Sequence, residues 1–135
     1  MKDTLRLGLT RQETVRIDPA RVIDFLGEDG QVYATPFMVS DVEYACWRLL
    51  NEHLDANETS VGVHVTIEHL GATPLGCDVR IDVEISGIDR RRVDFETIVR
   101  DAEDTVGRMR HSRFVIDAQA QVARIKAKSA RLHSR

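Results

Sequence analysis

The stretch ATPFMVSDVEYACWRLL, residues 34–50, is the longest apolar segment of the 135-residue chain. It reads as a loop running into a helix from about Phe37 to His53, closed by the polar stretch LDANETS (54–60). At about 100° per residue, Met38, Val39, Val42, Ala45, Cys46, Leu49 and Leu50 make one broad apolar arc. A helix with so wide an apolar face calls for a cover. The two acids in the stretch separate by phase. Glu43 falls beside Trp47 and Leu50 at the edge of the arc and points inward, whereas Asp41 falls with Tyr44, Arg48 and Glu52 and is expected to be an ordinary exposed residue.

Outward from this helix the period changes. SVGVHVTIEH (60–69), CDVRIDVEISGI (77–88), RRVDFETIVRD (91–101) and TVGRMRHSRFVID (105–117) alternate as strands, with connections short enough for a four-stranded antiparallel meander. Val61, Val63, Val65 and Ile67 are expected on the face toward the helix, as are Val79, Ile81, Val83 and Ile85; Asp78, Arg80, Asp82 and Glu84 then face solvent. Upstream, TRQETVRI (10–17) is strand-like. DPARVIDFLG (18–27) predicts a short helix, with Asp18 as N-cap, Pro19 at the first helical position and Gly27 as stop. The tail AQAQVARIKAKSARLHSR (118–135) returns to helical spacing, with Ala118, Val122, Ile125 and Leu132 on one side. The whole is an α+β chain forming a single domain over 1–135: an antiparallel β-sheet wrapped around a long central helix, followed by a C-terminal helix. That order is the order of the hot-dog fold.

Composition narrows the functional classes. With 42% hydrophobic and 30% charged residues and a net charge of -3, the chain has globular composition and no global pull toward nucleic acid or an anionic membrane. Aromatic residues are too few for a base-stacking platform. Cys46 and Cys77 do not make a disulfide framework or a zinc ribbon and are expected to be core thiols. His53, His64 and His133 lie on polar faces or in the tail, which makes no case for a metal. The N-terminal MKDTLRLGLTRQ lacks a signal-peptide core and no run is long enough to span a bilayer, so a soluble, cytoplasmic protein is expected.

Two residues stand out of place. Continuing the odd-numbered face of the strand past Ile67 points the imidazole of His69 inward, where the strand gives out at Gly71. Glu43 points inward from the helix. A carboxylate facing a core costs several kcal/mol unless paired, so the two are candidate partners. If they meet, the acid orients the imidazole, whose other nitrogen can act on a nucleophile. Thr35, in the loop entering the helix, is the nearest hydroxyl. Gly62 leaves room for a carbonyl to approach backbone N–H groups. Plainer roles are open for each: a hydrogen-bonded structural His69, Glu43 in a subunit interface, Thr35 as a helix cap.

TPFMVSDVEYACWRLL followed by SVGVHVTIEHLGATPLG resembles the fluoroacetyl-CoA thioesterase-like family of hot-dog thioesterases. The match rests on Thr35, Phe37, Met38 and Val39, on Glu43 eight residues after Thr35, on Ala45 and Cys46, and on His69 with Ala72, Thr73, Pro74 and Gly76. The resemblance implies hydrolysis of an acyl-CoA thioester at a homodimer interface, with no metal or organic cofactor. It implies Thr35 as nucleophile or water-positioning hydroxyl, Glu43 as its acidic partner, His69 as general base, Gly62 as a backbone donor to the thioester oxygen, and Arg113 as a ligand contact. His111 is matched too, in a structural role. Pro36 replaces the family's Gly, Tyr44 its helix Trp, and Trp47 stands in a smaller position. GEDGQVYA (27–34) is shorter than the lid segment of the fluoroacetyl-specific enzyme, so a short- or medium-chain acyl-CoA is the expected substrate rather than a fluorinated one. Arg124, Lys126, Lys128 and Arg131 read as a solvated helix face. The alternatives are a non-catalytic acyl-CoA-binding protein, against which Thr35, Glu43 and His69 all argue, and an enoyl-thioester hydratase, whose Asp/His motif is missing.

Overall fold

The computed structural model describes residues 1–134. Its elements are β1 (Thr10–Arg16), α1 (Thr35–Asn51), β2 (Glu58–His69), β3 (Asp78–Asp89), β4 (Arg92–Arg100), β5 (Thr105–Asp117) and α2 (Ala118–His133), with 3₁₀ turns at Pro19–Arg21 and Glu28–Gly30. One five-stranded antiparallel sheet, in the order β1-β3-β4-β5-β2, curls around α1. The α1 side chains Met38, Val42, Ala45, Cys46, Leu49 and Leu50 are buried against Val79, Ile81, Val83, Ile85, Val93, Phe95, Val99, Met109 and Val115. Each such aliphatic side chain contributes about 1.5–3 kcal/mol. Truncating the fully buried Leu50 to Ala costs about 2–5 kcal/mol.

The meander is three strands rather than four. β3, β4 and β5 follow one another, but β2 pairs with β5, and the far side of β3 is taken by β1. The reason lies in residues 70–77, which do not make a hairpin turn. Tyr33 N–H donates to Thr73 O (2.9 Å), Leu75 N–H to Gln31 O (3.0 Å) and Gly76 N–H to Ile17 O (2.8 Å). The connection therefore crosses one end of the sheet beneath the entry to α1 and delivers β3 away from β2.

The inward face of β2 is also not one continuous odd-numbered row. Its pairing with β5 shifts register between Gly62 and His64, and such a bulge reverses which parity faces in. Ser60 and Gly62 pair with the inward residues Val115 and Arg113, whereas beyond the bulge Val65, Ile67 and His69 pair with His111, Met109 and Gly107. Val61 is thus turned outward with Phe114, and Val63 is half exposed.

The expected helix over 18–27 shrinks to the turn Pro19–Arg21, with Asp18 accepting from Ala20 N–H. Val22 instead bridges to Tyr33, and Ile23 N–H donates to Val32 O at 3.1 Å. These β-branched residues take an extended partner in place of a helical one. Cys46 is buried as expected, but Cys77 is exposed because it closes the loop before β3. α2 buries no residue, and its apolar side of Val122, Ile125 and Leu132 is exposed. Among the described residues no helix is long and apolar enough to cross a membrane.

Candidate active site

Thr35 is the first residue of α1. The N-cap is Ala34, which has no side-chain hydrogen bond to give, so the Thr35 hydroxyl is not spent on capping. Pro36 follows, where a missing N–H costs the helix nothing. The backbone ahead of the helix is held by Ala34 N–H donating to Arg21 O at 2.8 Å. At the end of β2, His69 turns inward opposite Gly107. A Cβ on Gly107 would lie 2.5 Å from Met38 Sδ, so the glycine is what lets the first turn of α1 sit close against this end of the sheet. The result is a direct contact: Thr35 Oγ1 and His69 Nδ1 are 2.7 Å apart. Thr35 is exposed and His69 half-buried, leaving both open to a ligand. The crossing loop below them is pinned by the buried Thr73 hydroxyl, which donates to Asp101 at 2.9 Å.

Glu43 lies elsewhere in the chain. Its carboxylate sits over Gly62, where a Cβ would come within 2.9 Å of Glu43 Oε2. Its nearest polar neighbours are the Arg113 guanidinium (Nη1 to Oε2, 3.7 Å) and the His111 imidazole (Nε2 to Oε2, 3.9 Å). Eight residues of α-helix separate it from Thr35, about 12 Å along the axis, and among the described residues it makes no hydrogen bond or ion pair with His69. The structure therefore joins Thr35 to His69, and Glu43 to Gly62 and Arg113, as two clusters. The expected contact between Glu43 and His69 does not form within one chain.

Arg113 is buried, 7% exposed. Nε donates to Ser60 Oγ (2.7 Å), Nη2 to Ser60 O (2.9 Å) and Nη1 to His111 Nε2 (3.0 Å). Burial lowers the pKa of the guanidinium from its ordinary value, and the charge of Glu43 works the other way. Ser60 is the residue that sequence reading missed. A glycine isolated within a strand pattern signals a bulge, and a bulge at Gly62 turns Ser60 inward.

Asp41 is a correction. Rather than lying free on the polar face, it takes Arg21 through two hydrogen bonds (2.9 and 3.0 Å) and accepts from the buried Tyr33 hydroxyl at 2.5 Å. Burial, with Asp41 beside it, pushes the Tyr33 phenol well above its ordinary pKa. Helical phase was right about the side of α1, but residues 18–33 fold back over that side. Among the described residues no group of three His, Cys, Asp or Glu side chains is placed to hold a metal ion. A recess of 650 Å³ opens on the outer face of the sheet, among Glu84, Glu96, Arg108 and Arg110, away from Thr35.

A curled antiparallel sheet around one apolar helix is the hot-dog architecture, and here a hydroxyl and an imidazole meet at the helix entrance. A thioesterase-superfamily protein of Thermus thermophilus superposes with a TM-score of 0.89 over 98% of this chain and 99% of its own, at 20% identity, which establishes the fold. Residues 17–119 match the model of the fluoroacetyl-CoA-specific thioesterase family, and the chain belongs to that family of thioester hydrolases. The fluoroacetyl-CoA thioesterase of Streptantibioticus cattleyicolor is 29% identical over 136 residues, covering 96% of this chain and 98% of the relative. A solved structure of a fluoroacetyl-CoA thioesterase superposes with a TM-score of 0.86 at 28% identity, covering 93% of this chain and 98% of its own. A mutant of the fluoroacetyl-CoA-specific enzyme in complex with fluoroacetate and CoA gives 0.79 at 28% identity, covering 86% and 98%.

Proposed function

We propose that this protein hydrolyses a short- or medium-chain acyl-CoA to the free acid and CoA, using Thr35, His69 and Glu43. The observation that carries the reading is the 2.7 Å contact between Thr35 Oγ1 and His69 Nδ1. With the hydroxyl donating, His69 Nδ1 is the proton acceptor, and Thr35 either attacks the thioester carbon or holds the water that does. Gly62, with no side chain, allows the thioester oxygen close to backbone N–H groups. Arg113 contributes positive charge beside Glu43 for the ligand. The reaction needs no metal or organic cofactor. A cytoplasmic setting goes with a CoA thioester as substrate.

The working unit in this reading is a homodimer. β2 is a twelve-residue edge strand, with Val63 and Val65 52% and 38% exposed, and an uncovered edge of that kind invites a second strand. Antiparallel pairing of two β2 edges centred between Val65 and Thr66 is isologous. It brings the His69 end of one copy alongside the Gly62 end of the other, and with it Glu43 of the partner subunit. That supplies the acid which Thr35 and His69 lack within one chain.

The test is free-thiol release from a panel of acyl-CoAs, from acetyl and fluoroacetyl to octanoyl, by wild type, Thr35→Ala, Glu43→Gln and His69→Ala. Loss of His69 is expected to cost about 10²–10⁴-fold in kcat/KM. Unchanged turnover by the His69 variant would remove the mechanism. Tight acyl-CoA binding with no hydrolysis by wild type would instead support a binding protein.

A further inference from the structure

The three polar nitrogens of Arg113 are held by groups whose own states can be deduced. A guanidinium only donates, so at 3.0 Å from Arg113 Nη1 the Nε2 of His111 presents its lone pair. The other ring nitrogen, Nδ1, lies 2.7 Å from the carbonyl oxygen of His64, which only accepts, so Nδ1 carries the proton. Two partners thus fix both the tautomer and the charge of the ring: it is neutral. The His64 carbonyl sits where β2 slips register between Gly62 and His64, and a bulge takes backbone groups out of the ladder. The groups facing the ring are Arg113 on its own strand, the His64 carbonyl on β2, Glu43 on α1 and the stacked ring of Phe95 on β4, 6.1 Å between centroids. His111 is 1% exposed. Burial lowers its pKa; the His64 carbonyl and Glu43 work against burial, and Arg113 and the His64 imidazole add to it.

We infer that His111 is a positioning residue: as a neutral hydrogen-bond acceptor it holds Arg113 Nη1 toward Glu43, and protonation of the ring withdraws that acceptor and frees Nη1 while Ser60 keeps Nε and Nη2. A role in packing alone does not account for the arrangement. Phe95 and the volume of the ring would be served by leucine, but leucine leaves Arg113 Nη1 without its acceptor at a site almost closed to water. Freeing Nη1, the nitrogen nearest Glu43, loosens the charge beside that carboxylate, and displacements of about 1 Å at a reacting centre cost on the order of 100-fold in rate. The link from His111 to turnover rests on the function proposed above; the link from His111 to Arg113 does not.

Two variants of the full chain separate these. His111→Gln carries an oxygen that reaches toward the Nε2 position and does not titrate, whereas His111→Leu fills space without an acceptor. Nitrogen-15 NMR of the wild type is expected to show His111 in the Nδ1–H tautomer and the Arg113 guanidinium N–H signals resolved and slow to average. In His111→Leu the Nη1 signals should lose their slow exchange while Nε and Nη2, still bonded to Ser60, keep theirs, and His111→Gln should restore Nη1. Thiol release from acetyl-CoA and butyryl-CoA by His111→Leu is expected to fall by about 10- to 100-fold, with most of the loss recovered in His111→Gln and a flatter acid limb of its pH profile. An Nε2–H tautomer, or slow Arg113 Nη1 signals persisting in a folded His111→Leu, overturns the inference. If the wild type releases no thiol from any substrate, the proposed function fails, and the NMR result still decides the role of His111.

Discussion

Arg21 and Asp41 meet through a two-point contact, Nε to Oδ2 at 2.9 Å and Nη2 to Oδ1 at 3.0 Å, and this contact ties residues 18–33 to the outer side of α1. Ala34 hangs from the same arginine through its carbonyl, so the pair sets the position of the helix entrance where Thr35 begins. Tyr33→Phe removes a donor to a carboxylate and is expected to cost about 1–2 kcal/mol. Asp41→Asn should cost more, because it also leaves Arg21 with a neutral partner. Thermal melts check the order; an Asp41 variant as stable as wild type would show the contact to be ornamental.

Gly62→Ala is expected to damage activity more than stability. The added Cβ would meet Glu43 Oε2 at 2.9 Å and His111 Cε1 at 3.1 Å. His111 is locked in the core, so Glu43, about a third exposed, is the group that yields. The strand should keep its fold at a cost of about 1–2 kcal/mol, while thiol release falls at least as far as in Glu43→Gln. Wild-type turnover in Gly62→Ala would mean that the position of Glu43 is irrelevant to the reaction.

The proposed dimer predicts a strand-edge phenotype. Val63→Asp adds a charge to the exposed edge of β2 at a residue outside the core, which is how natural sheets discourage pairing. The variant is expected to run as a folded monomer by light scattering and to lose hydrolysis. A fully active monomer would place Glu43 outside the reaction.

Acid should loosen the contact between β1 and α1. Glu13 takes Arg48 through two hydrogen bonds (2.8 and 2.6 Å) and Arg11 through a third (2.6 Å). The bond to Arg48 lowers its pKa from the ordinary 4.5, Arg11 adds to this, and burial opposes both. A folded pKa below the unfolded one means stabilisation that is fully present above 4.5 and lost as pH falls through the folded value. Tm should therefore drop below that point, and Glu13→Gln should start lower at neutral pH and drop less. Parallel curves for the two proteins would assign the acid sensitivity to other groups.

Local patterns made most of the architecture legible. Periods of 3.6 and 2 separate α1 from the strands, and helical phase sets Glu43 and Asp41 on different sides of α1, although Asp41, at 12% exposed, is more covered than Glu43 at 37%. What stayed hidden depends on contacts distant in sequence. Alternation does not say which strand β2 pairs with, because that is decided by hydrogen bonds between residues 70–77 and the segment before α1. Nor does it show the parity change at Gly62, which turns Ser60 toward Arg113. Asp41 meets Arg21 from a segment whose helical signals lost to the bridge between Val22 and Tyr33. His69 was found because it lies beyond the bulge, where the odd-numbered row does face inward.

The order of the strands also carries a history. β3, β4 and β5 join neighbours through short turns, while β1 must find β3, and β2 must find β5, across long intervening stretches of chain. Non-local pairings close large loops and form late, so the three-strand core is expected to appear first in refolding, and the two outer strands with α1 afterwards. Trp47, the one tryptophan, donates from α1 to Thr59 on β2 at 3.0 Å. Its fluorescence should therefore trail the amide protection of β4. By this order His69 reaches Thr35 only when β2 closes the sheet, and a half-refolded chain has a hydrophobic core before it has the hydroxyl–imidazole contact.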